Sequence, residues 1–181
     1  LMSLPRFFLP VVPEDLREGV LVSLTLEAAR HAQVLRLRPG DALELAWRQG
    51  HVWAGDIVSI RGSDWTIRLV RSLDENREWP VHIEACIPIL AQLSALDDVL
   101  PGLVELGVQI FQPIIFDRSE YDEHKTKGRM DRWQRICERS AEQSHRSRLP
   151  ELRTPEPIEY LLNHSISQRW VAYEEKQTHV H

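Results

Sequence analysis

A chain of 181 residues with 43% hydrophobic side chains can bury a substantial core, as one large domain or two small ones. Its formal charge of -5 and pI near 5.9 exclude a uniformly basic nucleic-acid binder, so any site for RNA must be a local patch. From the N-terminus, residues 1–73 read as a small, mostly β domain. VLVSL (20–24), ALELAW (42–47), VWAGDIVSI (52–60) and WTIRLVRSL (65–73) are short β-branched and aromatic runs. Arg38-Pro39-Gly40-Asp41, Arg48-Gln49-Gly50-His51 and Arg61-Gly62-Ser63-Asp64 supply turn chemistry between them. One helix interrupts the pattern: Thr25 is placed to cap a segment in which Ala28, Ala32 and Leu35 recur at helical spacing.

Residues 74–80 (DENREWP) are polar, end in proline and offer nothing to a core, which marks them as the linker between domains. Beyond them VHIEACIPIL (81–90), VQIFQPIIF (108–116) and RWVAYEE (169–175) read as buried strands separated by helices. That alternation is the signature of a parallel sheet with right-handed crossovers, occupying residues 81–181. Interior proline costs ~3 kcal/mol, so the first crossover helix is expected to start near Asp97 or Asp98, with Pro101 in its first turn and Gly107 at its end. In the second, Trp133, Ile136, Cys137, Ser140, Ala141 and Ser144 form an inward stripe.

The basic charge is local. From Arg118 to Arg148 there are nine Lys/Arg against six Asp/Glu, whereas the first 80 residues hold ten against eleven. Arg132, Arg135, Arg139 and Arg146 fall at helical spacing opposite the Trp133 stripe. Guanidinium forks suit phosphate oxygens, so this face could follow an RNA backbone, although a solvated helix face is the plainer reading of a lone stripe. Polar side chains crowd Glu142-Gln143-Ser144-His145-Arg146-Ser147-Arg148-Leu149-Pro150-Glu151 before its proline stop, either as a binding segment or simply as a helix end. Asp117-Arg118-Ser119 follows a buried strand, where ligands of parallel sheets collect, and a structural ion pair is the competing reading for Arg118.

Other signatures give nothing. There is no GxGxxG, GxxxxGK[ST], HExxH or GxSxG, and Cys86 and Cys137 lack any zinc spacing, so no metal is expected and both cysteines are expected as buried thiols of a cytosolic protein. No apolar run approaches the ~20 residues of a membrane span, and the N-terminal stretch lacks the plan of a secretory leader.

These pieces resemble a known family. Pro5-Arg6-Phe7-Phe8, Arg30-His31 leading to Val34-Leu35-Arg36-Leu37, and Pro39-Gly40-Asp41 resemble the N-terminal PUA-like domain of RsmE-type rRNA uridine-N3 methyltransferases. Glu105-Leu106-Gly107-Val108, Arg118-Ser119, Glu142-Gln143-Ser144 with Arg146, and Leu149-Pro150-Glu151 follow that family's order over about residues 4–175. The resemblance implies an α+β protein: a PUA-like β-barrel joined to a partial SPOUT-type α/β domain. It also implies a homodimer that transfers a methyl group from S-adenosylmethionine to uridine N3 in small-subunit ribosomal RNA. By position it assigns Arg6, His31 and Arg36 to the RNA side of the N-terminal domain, Arg118, Gln143, Arg146 and Arg148 to the target nucleotide, and Tyr173 and Glu174 to the approach to the cofactor.

Some family features are not in this sequence. The Gly-Pro-Glu-Gly-Gly loop and the later Leu-Arg-x-Glu-Thr-Ala segment, which thread the family's knot and build most of its cofactor pocket, do not occur. Gly102 stands where the family has a basic residue, and His145 stands where glycine is common. The expectation is therefore an rRNA methyltransferase whose 181-residue form binds RNA without methylating it. Two readings compete with it: an RNA-binding regulator without catalysis, and a small-molecule-binding α/β domain unrelated to RNA.

Overall fold

The computed structural model describes residues 4–48, 50–73, 78, 80–90, 92–117, 122–163 and 168–170. The first module contains β1 (Arg6–Leu9), β2 (Leu21–Ser23), α1 (Leu26–Val34), β3 (Ala42–Trp47), β4 (Val52–Arg61) and β5 (Asp64–Ser72). The second contains β6 (Glu84–Pro88), α2 (Ala95–Glu105), β7 (Ile110–Ile115), α3 (Glu123–Gln143), β8 (Glu151–Leu152), β9 (Glu156–Pro157) and α4 (Glu159–Asn163).

β3, β4 and β5 form an antiparallel meander because their alternating residues can turn one face inward: Leu43, Leu45, Ile57, Trp65, Ile67 and Leu69 are buried together. The sheet order is β1-β3-β4-β5-β2, with β1 parallel to β3. The sheet curls around its core, and among the described residues no ladder joins β1 to β2. The segment at Arg6–Leu9 supplies a strand that the turn-and-run reading did not separate. Thr25 caps α1 as expected, its Oγ accepting the Ala28 N–H at 3.2 Å, and Ala28, Ala29 and Ala32 pack inward.

In the second module β7 is the parallel centre, paired with β6 on one side and with β8 and β9 on the other. Of the third strand expected at 169–175, Arg169 and Trp170 are not in a strand, and the rest lies outside the described residues. Two-residue strands at 151–152 and 156–157, too short to be read from the sequence, pair with β7. α2 starts at Ala95 rather than at Asp97 or Asp98, so Pro101 lies inside it. Gly107, at φ 90°, ends it as expected: the Gly107 N–H donates to the Val104 carbonyl and the Val108 N–H to the Leu103 carbonyl.

Of the 74–80 stretch, Glu78 and Pro80 are among the described residues. Phe8, Ala46 and Val52 of the first module share one core with Leu96, Leu100, Val104, Phe111, Trp133, Cys137 and Ala141 of the second, and Leu73 packs against it. Glu78 reaches into the second module with a side chain only 8% exposed. Cys137 is fully buried and burial pushes its thiol up to about 12, while Cys86 is only partly buried, contrary to expectation; neither is in a disulfide. Among the described residues no helix is long and apolar enough to cross a membrane.

Asp97 fastens α2 to α3. Its carboxylate accepts the Trp133 indole N–H at 2.9 Å, the Arg132 Nε–H at 2.6 Å and an Arg129 N–H at 3.1 Å. Replacing Asp97 by alanine leaves a buried indole N–H without its acceptor and should cost about 2–4 kcal/mol. A denaturant melt reads this directly, and Asp97→Asn, which keeps an acceptor for the indole, should lose less.

Candidate nucleic-acid interface

The two modules meet along a groove of about 1220 Å³ whose walls are α1 and α3 and whose floor is β1. The α1 wall presents Glu27, Arg30, His31, Val34 and Leu35; the α3 wall presents Arg135, Glu138, Arg139, Glu142 and Gln143, with His145 just beyond. Helical spacing explains both walls. Ala28, Ala29 and Ala32 turn one side of α1 to the first core, while Trp133, Cys137, Ser140 and Ala141 turn one side of α3 to the second. Their opposite sides are left facing each other.

Glu142 spans the groove. One oxygen accepts the Phe8 N–H at 3.3 Å and the other lies 3.4 Å from His31 Nδ1, whose ring meets Phe7 edge-on with centroids 5.5 Å apart. Burial pushes the Glu142 carboxyl up to about 7; the Phe8 N–H opposes the rise, Glu138 and Glu27 add to it, and Arg139 counteracts it. Arg48 approaches Glu138 at 3.7 Å, so part of the acidic charge on the α3 wall is already offset.

Of the residues singled out in the sequence, Arg6, His31, Arg135, Arg139 and Gln143 line this groove. Arg36 is exposed just past α1, in the left-handed region at φ 59°. Arg132 lies further along α3, held by Asp97. Arg148 is exposed and packs over Gly50 in the β3–β4 turn, away from the groove. Arg118, Tyr173 and Glu174 lie outside the described residues.

Two of the expected RNA-side arginines are buried with protein partners. Arg6 is 3% exposed: its guanidinium binds Glu44 through Nε at 2.9 Å and Nη2 at 2.7 Å, and donates from Nη1 to the carbonyls of His145 and Arg146. Arg146 lies beyond the end of α3 and is 6% exposed, bound to Glu78 and to the carbonyls of Val104 and Val108. It therefore leaves the stripe of Arg132, Arg135 and Arg139. Both are buried fasteners whose donors are turned to protein acceptors, and that explains arginine at these positions without an RNA ligand.

Arg30, Glu138 and Glu142 are wall residues that the sequence reading did not choose. Glu27, Arg30, His31 and Val34 repeat on the side of α1 opposite its alanines, a signal that was present but carries no charge surplus. Among the described residues no cluster of three metal-ligating side chains occurs.

A family model described as an RNA methyltransferase domain matches residues 77–181. The chain belongs to the RNA methyltransferase domain family. Its relatives there are of the RsmE type. The ribosomal RNA small subunit methyltransferase E of Synechocystis is 30% identical over 147 residues, covering 81% of this chain and 47% of that protein. The Bacillus subtilis protein of the same name is 27% identical over 177 residues, covering 94% and 68% respectively. This member of the family thus spans less than half the length of the Synechocystis relative. Among solved structures, a ribosomal RNA small subunit methyltransferase E from Neisseria gonorrhoeae bound to S-adenosyl methionine matches with a TM-score of 0.81 at 28% identity, over 91% of this chain and 67% of that one. A Legionella pneumophila methyltransferase in complex with S-adenosylmethionine matches with a TM-score of 0.80 at 26% identity, over 90% and 67%.

The raised Glu142 gives this RsmE-type chain a defined pH dependence. The folded state holds a proton at Glu142 that the unfolded chain, near 4.5, gives up; stability therefore falls as pH rises from 4.5 through about 7. Glu142→Gln removes that contribution, so its melting temperature should change less than the parent's between about pH 5 and about pH 8, measured by calorimetry.

Proposed function

We propose that the groove between α1 and α3 holds a ribosomal RNA strand, and that the protein to which this chain belongs methylates uridine N3 in small-subunit ribosomal RNA from S-adenosylmethionine. The observation that carries the reading is the convergence of Arg30 and His31 from one module with Arg135, Arg139 and Gln143 from the other on one groove. Arginines on both rims reach phosphates along a strand, and Gln143 and His145 offer hydrogen bonds to base or ribose edges. The family match and the rRNA methyltransferases among the relatives support the substrate class.

S-adenosylmethionine, when bound, supplies the methyl group. Leu90 and Phe116, exposed apolar side chains just past the carboxyl ends of β6 and β7, are the described residues that would meet its adenosyl part. The remaining work of the described residues is to bind and orient. Fixing the nucleotide between two rigid walls removes its orientational freedom before reaction, and rim arginines can stabilise charge that develops on the uracil oxygens. A target paired in a duplex must first be turned out of its stack. A homodimer in the cytosol, acting on the small ribosomal subunit, is the assembly this reading implies. The family match favours a methyltransferase over a regulator that only binds RNA.

Arg30→Ala and Arg139→Ala should each weaken binding to a small-subunit rRNA fragment and lower the slope of log affinity against log salt by about 0.7–0.9. Filter binding over a salt series measures both. Unchanged affinity in both variants contradicts the groove reading.

A further inference from the structure

The turn that follows α3 is held from both sides of its backbone. Its helix end is already satisfied internally, since the His145 N–H donates to the Glu142 carbonyl at 3.3 Å and the Arg146 N–H to the Ala141 carbonyl at 3.0 Å. Further clamps are added to this. Arg6 of the first module donates to the His145 carbonyl at 2.6 Å and the Arg146 carbonyl at 2.8 Å. Glu78, from the stretch between the modules, accepts the Ser147 N–H at 2.9 Å and the Arg148 N–H at 3.0 Å while pairing with the Arg146 guanidinium. Arg146 in turn reaches the carbonyls of Val104 and Val108, around the end of α2. His145 sits at φ 54°, a backbone conformation that a non-glycine residue keeps only where its surroundings fix it.

A helix end needs none of these extra contacts to be satisfied. They converge on the turn that carries His145 and follows Gln143, two side chains at the groove wall. We propose that Glu78, acting with Arg6 through residues 144–148, is a positioning residue for RNA binding: it sets where Gln143 and His145 stand without touching the RNA. The RNA part of this proposal rests on the groove reading above.

The sign of the effect separates positioning from simple electrostatics. Removing a carboxylate close to an RNA site should strengthen binding on charge grounds alone. Positioning predicts the reverse. In the full chain, at a temperature where circular dichroism shows the variant folded, Glu78→Gln should bind the rRNA fragment about tenfold more weakly, the loss expected when one charged hydrogen-bond set is released. Hydrogen exchange at the Ser147 and Arg148 amides should quicken in the same variant, and Arg6→Met should weaken RNA binding likewise, with Arg6→Lys intermediate. If Glu78→Gln does not fold, Glu78→Asp, which keeps the charge but shortens its reach, carries the same expectation. Unchanged or tighter RNA binding by folded Glu78→Gln, with Arg139→Ala still weakened, overturns the positioning role and leaves the groove standing. Unaltered exchange at Ser147 and Arg148 overturns it as well. Faster exchange together with wild-type affinity in Arg30→Ala and Arg139→Ala sinks the groove reading, while the clamp on the turn survives.

Discussion

Two buried guanidinium groups hold this structure in one piece. Desolvating an arginine is costly unless its donors are met, and removing a partner from such a buried pair typically costs about 3–5 kcal/mol. Arg6 and Arg146 meet that demand from opposite directions: Arg6 ties the first sheet, through Glu44, to the end of α3, and Arg146 ties that same turn to Glu78 and the end of α2. Together with the core shared by Phe8, Ala46, Val52, Trp133 and Cys137, they make the two sheets one body. A groove between modules has a fixed width only when the modules are fixed, so everything said of the α1 and α3 walls depends on these contacts.

Fixing the walls also explains how an acidic chain can gather basic side chains at the groove proposed for RNA. The total charge of -5 is spread over the molecule, while Arg30, His31, Arg135 and Arg139 are brought within one concave surface by folding. Glu27, Glu138 and Glu142 share that surface and are moderated differently: Arg48 approaches Glu138, and burial keeps Glu142 close to its protonation point near neutrality. The groove is thus less negative than its residue list suggests. Lower on α3, Arg132 and Arg129 are turned toward Asp97, which shortens the useful basic face to the end nearest the first module.

The sequence made the regular elements legible because they obey simple periods. The alternation in ALELAW and WTIRLVRSL, the cap at Thr25, the stop at Gly107 and the Trp133 stripe are each decided within a few residues of themselves. The short strands β8 and β9 were invisible for the converse reason: two residues have no period, and only pairing with β7 makes them strands. At the site, exposure was the illegible quantity. An arginine stripe on paper gives Arg132, Arg135, Arg139 and Arg146 equal standing, but partners distant in sequence distinguish them: Glu78 holds Arg146 out of solvent, while Arg132 stays exposed with its Nε–H turned to Asp97. The same holds for Arg6, whose partners Glu44 and the carbonyls of His145 and Arg146 are all distant in sequence. Glu78 was passed over because a polar stretch ending in proline resembles a linker, and nothing local reveals that two amides about 70 residues away will seek its carboxylate.

In the proposed groove, one RNA strand would touch both modules at once. Photo-crosslinking of 4-thiouridine-substituted small-subunit rRNA fragments to the chain, with the adducts mapped by peptide mass spectrometry, tests it most directly. The account predicts adducts in residues 26–37 and also in residues 135–145, on the two facing walls. Adducts confined to one module, or gathered at the distant β4–β5 turn around Gly62, would contradict it.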